Sequence, residues 1–207
     1  MQFVSDFGDQ AVILPLAVAV GLALLLAGWR QGAVAWVLAV AGTLAAVLLG
    51  KILATACVHV LAIADLRSPS GHTASAAMVY GGLIALLLPE PPRGLRRWMA
   101  AFVLAAAFAV VFGGTRLALH VHTPADVVAG ACLGIAGALA LSRLAGPRPE
   151  GVRAAMPLAA ALAVALLLHG RHLHAEEMID RYSCRLVTWE TLPGLLAEPD
   201  HAVSARP

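Results

Sequence analysis

The sequence predicts an all-α protein, a polytopic membrane bundle of about six transmembrane helices. Two observations carry that prediction. Apolar residues make up 60% of the chain and charged residues 13%, about half the charged share of an ordinary soluble domain, and the mean hydropathy is +0.84. The apolar residues also gather into charge-free runs close to the ~20 residues that a helix needs to cross a hydrocarbon core of about 30 Å. A soluble protein built on an Ala/Leu core would need more surface charge than this chain carries.

The first run, residues 11–29, holds no charge. Asp6 and Asp9 precede it, where a cleavable signal would carry Lys or Arg, so it is expected to be retained as a span. Residues 33–64 are interrupted only by Lys51 and His59. As one helix they would extend on the order of 48 Å, too long for one crossing. This region is therefore expected to cross once and then break or follow the interface, with the break at Gly50 or near Asp65. The third span should start at Ser70 or Gly71 and end at Leu88, stopped by Pro89-Glu90-Pro91-Pro92. The fourth covers 98–116. Pro124 can open the fifth, which runs to Leu141 with Gly130, Gly134 and Gly137 spaced for close helix packing. Residues 154–168 form a short sixth run that contains Pro157. The expected organisation is one membrane-embedded domain over 1–170 and a polar tail over 171–207.

Basic residues in short links set orientation. One side receives Arg30, Arg93, Arg96, Arg97, Arg143, Arg148 and Arg153, which assigns it to the cytoplasm. The acidic amino terminus, the stretch around Arg67, the link after Arg116 and the tail then lie on the opposite, periplasmic side of a bacterial inner membrane. The tail's Arg171, Arg181 and Arg185 work against this assignment, although Glu176, Glu177 and Asp180 sit among them.

Several function classes drop out. A net charge of +2, with no basic tract and interleaved aromatics, does not suit nucleic acid. Cys57, Cys132 and Cys184 are odd in number and irregular in spacing, so neither a disulfide framework nor a zinc pattern follows.

The chain places its scarce polar side chains together. Arg67 and His72 lie where the third span begins, Arg116 where the fourth ends, and His122 and Asp126 where the fifth begins. Antiparallel spans return all of them to one membrane face. A helix amino terminus preceded by Ser70-Gly71 presents backbone N–H groups to an anion, and Arg67 and Arg116 suit bidentate clamping of phosphate oxygens. Asp126, four residues after His122, can hydrogen-bond the imidazole and fix its tautomer. Each residue also has a bland reading. An Arg or His at an interface is commonly a snorkelling anchor, and Asp126 is favoured at a helix start by the dipole alone. The convergence supports an anion-binding site with acid and base groups, and chemistry alone goes no further.

Pro69-Ser70-Gly71-His72, followed by Thr115-Arg116, five residues to His122 and three more to Asp126, resembles the second and third motifs of the type 2 phosphatidic acid phosphatase superfamily. Those motifs are usually PSGH and SR-x5-H-x3-D; only Thr115 in place of Ser departs from them. The resemblance covers about residues 51–141. The family's first motif, K-x6-RP, is absent in that form, because 15 residues separate Lys51 from Arg67 and Ser68 stands before Pro69. The carry-over gives Arg67 the role of the first-motif arginine and Lys51 that of its lysine.

The resemblance implies a hydrolase of lipid phosphomonoesters or diphosphates that needs no metal and no cofactor. By analogy His122 is the nucleophile, Asp126 orients it, and His72 protonates the leaving oxygen. Lys51, Arg67, Arg116 and the backbone at Ser70 and Gly71 would hold the phosphoryl oxygens. The implied partners are a lipid phosphate or diphosphate and the membrane lipids around it. A non-catalytic lipid or anion transporter and a phosphotransferase would use the same pocket. Substrate identity stays open among isoprenyl diphosphate, phosphatidic acid, phosphatidylglycerophosphate and lipid A phosphate.

Other polar residues read more plainly. His59 suits a hydrogen-bonded buried position, and spacing to Arg116 and Asp126 favours His122 over His120 as the motif histidine. His169, His172 and His174 with Glu176 and Glu177 fit a solvated interfacial segment better than a metal site. Asp65 is expected to pair with Arg67 or to cap a turn.

Overall fold

A computed structural model describes residues 1–56, 66–88 and 94–173, and all regular structure among them is helical. His59, Asp65, Cys57, Cys184, Arg93, the Pro89 stop and the tail from His174 lie outside the described residues.

A short helix α1 (Gln2–Asp6) precedes α2 (Gln10–Leu26), whose start is capped by the Asp9 carboxylate on the Ala11 N–H. Then come α3 (Arg30–Ala56), α4 (Gly71–Leu87), α5 (Gly94–Ala118), α6 (Pro124–Leu144) and α7 (Ala155–Leu168). Three of them, α3, α5 and α6, are long and apolar enough to cross a membrane, and α2, α4 and α7 are shorter apolar helices. The expected all-helical membrane bundle is therefore the observed fold. Pro157 falls in the first turn of α7, where its missing N–H breaks no helical hydrogen bond.

One expectation needs correction. α3 runs unbroken through Gly50 to Ala56, so Gly50 is not where the second apolar region breaks. Its missing side chain serves packing, since a Cβ there would stand 2.8 Å from the Pro69 ring. The helix passes the Pro69 turn because nothing projects from it at that point. The helix α1 was not anticipated either: its five residues are too few to leave a hydrophobic period.

α4 lies inside, packed against α5, α6 and α3, while α2 packs against α3 and α7. The core is built from Trp29, Trp36, Ile13, Leu16, Leu24, Met78 and Leu141, all nearly inaccessible. Outward-facing Val18, Leu26, Val110, Leu162 and Leu167 are exposed, as expected when lipid replaces water. Within α4 the backbone widens to a π turn at Ala77–Gly81.

Polar side chains tie the links at the end where the arginines gather. Trp29 donates to the Ala145 carbonyl at 3.2 Å, Gln31 to Leu144 at 3.1 Å, Arg97 to Gly146 at 2.8 Å and Arg148 to Leu87 at 2.9 Å. These carbonyls at and beyond the ends of α4 and α6 find partners that water would otherwise supply. The opposite end carries the motif residues, and it is built differently.

Candidate active site

Three helix ends meet there. Gly113 of α5 sits so close to α6 and α4 that a Cβ would touch Val127 at 2.5 Å and Thr73 at 3.6 Å. On α6, Gly130 and Gly134 lie against the carbonyl oxygens of Ser70 and Ala74, which leaves no space for a side chain at either position. Small residues thus draw the start of α4 onto the start of α6.

Asp126 organises the site. It is 1% exposed, at the third position of α6, and forms a capping box with Thr123: the Thr123 hydroxyl accepts the Asp126 N–H at 3.1 Å, and Asp126 Oδ2 accepts the Thr123 N–H at 3.1 Å. Oδ2 also lies 3.3 Å from His122 Nδ1. Oδ1 accepts the backbone N–H groups of Arg67 and Ser68, each at 2.8 Å. The Asp126 carbonyl takes the Ser70 N–H at 3.0 Å. One residue therefore orients the histidine of one motif and fixes the backbone of the other.

Ser70 is fully buried and caps α4, accepting from the Thr73 N–H at 3.5 Å and the Thr73 hydroxyl at 3.0 Å. Its own N–H is committed to Asp126, so Ser70 shapes the turn, and Gly71 is the residue whose backbone opens the helix. Lys51, 4% exposed near the end of α3, extends its ammonium to the Ser68 hydroxyl at 3.3 Å. That contact brings Lys51 to the motif stretch, although 17 residues separate it from Ser68. Arg67 is exposed, while its backbone N–H is held by Asp126.

Arg116 is buried in the last turn of α5 and donates from Nη1 to the Ser5 hydroxyl at 3.1 Å. Thr115, the departure from the family pattern, turns its hydroxyl back to the Phe112 carbonyl at 2.7 Å, a bond that Ser would make equally well. His72 lies beside Gly8, where a Cβ would reach its ring carbon Cδ2 at 3.3 Å and the Phe112 ring at 3.0 Å. His120 is exposed and left-handed, with φ +55, in the link between Arg116 and His122.

The fold thus gathers Lys51, the Arg67–Gly71 backbone, His72, Arg116, His122 and Asp126 at one end of the bundle. Sequence reasoning overlooked Thr123, Ser68 and Ser5. Thr123 was recoverable, because Thr-Pro-Ala-Asp is a capping-box spacing. Ser68 and Ser5 leave no sequence signal, since their partners are distant in the chain. Among the described residues no three His, Cys, Asp or Glu side chains group as metal ligands would. His172 instead faces Asp6 at 3.9 Å and Asp9 at 3.6 Å.

Comparison with known proteins places the chain in a family. The PAP2 superfamily model matches residues 55–150, the segment that contains both motifs. An uncharacterized 22.5 kDa protein in the cps region of Klebsiella pneumoniae is 34% identical over 155 residues, which is 73% of each chain. The chain belongs to the PAP2 superfamily. Membership makes this PAP2 protein a phosphatase-type membrane protein. No solved structure matches it.

Proposed function

We propose that this PAP2 chain is an integral membrane lipid phosphatase that hydrolyses a lipid phosphomonoester or diphosphate through a phosphohistidine. The observation that carries the reading is the divided Asp126 carboxylate. One oxygen faces His122 Nδ1, which favours the proton on Nδ1 and the lone pair on Nε2. The other oxygen fixes the Arg67–Ser68 backbone against the same histidine.

In the proposed reaction His122 Nε2 attacks phosphorus and the bond to the lipid oxygen breaks. His72 gives its proton to that leaving oxygen. Water then attacks the phosphohistidine, His72 takes a proton from it, the P–N bond breaks and inorganic phosphate leaves. Positive charge on His122 in the intermediate is balanced by Asp126. Arg116, Lys51, Arg67 and the N-terminal backbone of α4 at Gly71 hold the equatorial oxygens, on which charge builds in the transition state. These cations and the imidazole supply the charge stabilisation, so the chemistry proceeds without a metal ion or cofactor. Arginine-rich links at the other end of the bundle support a periplasmic site in a bacterial inner membrane. The lipid chain remains among the spans while its head group sits at the interface.

The test is phosphate release by purified protein in detergent from a panel of lipid phosphates and diphosphates, with and without chelator. Release that survives chelator and disappears in His122→Ala is the expected result. Loss of activity in chelator would sink the metal-free mechanism. A chain that binds lipid phosphate but releases none from any member of the panel would be a binding or transport protein.

A further inference from the structure

We infer that the amino-terminal segment from Ser5 to Gly8 is a working part of this site, with Ser5 positioning the Arg116 guanidinium and Gly8 setting the room around His72. The inference rests on the phosphatase reading and assigns it two residues outside the family motifs.

Ser5 is 1% exposed and its hydroxyl accepts from Arg116 Nη1 at 3.1 Å, across 111 residues of sequence. A guanidinium is a planar fork of five donors, and fixing one of them fixes the plane in which the others point. Arg116 stands in the last turn of α5, and a long side chain there has many rotamers to lose when it clamps a phosphoryl group. A hydroxyl that holds one nitrogen beforehand reduces that loss. The same segment touches the proposed acid independently, because the Cα of Gly8 lies where an added methyl would meet both His72 and Phe112.

A loosely held segment would do this poorly, but this one is fastened at several points. The Tyr80 hydroxyl donates to the Phe7 carbonyl at 2.7 Å, and Gln10 donates to the Ser75 hydroxyl at 3.1 Å. Tyr80 is itself stacked with Phe108 and Phe112, at 5.6 and 5.9 Å between centroids. From the other side His169 packs 4.4 Å from both Phe3 and Phe7, and the Leu173 N–H reaches Asp9 Oδ1 at 3.0 Å. Contacts from α4 and from the residues after α7 therefore hold α1 and the turn that follows it beside the arginine.

The experiment uses the full chain in detergent, an active lipid phosphate or diphosphate from the panel, and orthovanadate as a phosphate mimic. Vanadate affinity is read from protection against thermal unfolding, which needs no turnover. Ser5→Ala should raise both KM and the vanadate dissociation constant about tenfold, the loss expected for one hydrogen bond to a charged group. Its kcat and unliganded melting temperature should stay near wild type, and Ser5→Thr should restore both affinities. Gly8→Ala should instead lower kcat, with KM and vanadate affinity little changed. Unaltered affinities in Ser5→Ala would overturn the inference, as would a parallel loss of kcat, affinity and melting temperature that Ser5→Thr does not rescue. His122→Ala is run alongside: its inactivity with a wild-type Ser5→Ala removes only this inference, and its full activity removes the catalytic reading as well.

Discussion

The Asp126 carboxylate accepts the Ser68 N–H at 2.8 Å across 58 residues, and so joins the turn before α4 to the first turn of α6. The same oxygen takes the Arg67 N–H, while the other faces His122. The geometry of the candidate site and local stability are consequently coupled through one side chain, and substitutions there should affect both.

Asp126→Ala should cost about 3 kcal/mol or more, because two part-buried N–H groups lose a charged acceptor worth roughly 1.5–3 kcal/mol each. Asp126→Asn keeps the shape, but its NH2 must face either the Arg67 and Ser68 N–H pair or the histidine. It should retain more stability than Ala and still lose phosphate release about 100-fold or more, as an unoriented histidine does. Thermal unfolding in detergent and phosphate-release rates on the two variants check the pair. An active Asp126→Asn protein would show that the orientation of His122 is set elsewhere.

How much of this was legible in the sequence follows from where each signal resides. Helices α2 and α4 to α7 announced themselves through charge-free runs, and Ser70 and Pro124 marked two helix starts by cap and first-turn chemistry. The return of Arg116, His122 and Asp126 to the level of His72 needed only antiparallel crossings. α1 stayed hidden because its order comes from Tyr80, Arg116 and His169, all more than 70 residues away. Gly50 misled for a physical reason: glycine lowers helix propensity, but here it admits Pro69, and packing outweighs about 1 kcal/mol of propensity.

His120 and His122 are two residues apart and should behave oppositely. His120 holds φ +55, a left-handed conformation that a β-branched residue resists and glycine accepts freely. His120→Gly should stay within about 1 kcal/mol of wild-type stability and keep phosphate release, whereas His120→Val should destabilise by about 1–2 kcal/mol. His122→Ala should fold normally and form no acid-labile phosphoenzyme on brief incubation with substrate. Trapped phosphoenzyme in His122→Ala, with none in His120→Ala, would reverse the assignment.

Lys51 separates charge from position. Its ammonium reaches Ser68 from a buried site, so Lys51→Met removes the charge while filling similar volume. The expected result is a rise in KM of about tenfold, typical of one lost charge-assisted contact, with little change in melting temperature. Lys51→Arg should fall short of full rescue, since a planar fork does not fit a space that holds a single ammonium. Unchanged kinetics in Lys51→Met would make this residue a structural support for Ser68 alone.

Glycine substitutions along the bundle should sort by what faces them. Gly134 lies against the Ala74 carbonyl and has the Ala77 Cβ 2.8 Å from where its own Cβ would stand, so Gly134→Ala must push α6 away from α4. Overpacking of this kind costs about 1–3 kcal/mol. Gly130→Ala adds a second effect, because the atom it strikes is the carbonyl of Ser70, the residue that caps α4 just before His72. It should therefore lose phosphate release out of proportion to its loss of stability, while Gly134→Ala, one turn deeper, loses mainly stability. Gly114, within α5, has nothing within 4 Å of an added Cβ. Gly114→Ala should raise stability by about 1 kcal/mol through helix propensity alone. Thermal unfolding and phosphate release on the three variants test the order, and a Gly130→Ala protein that keeps wild-type activity would separate the α4 cap from the chemistry.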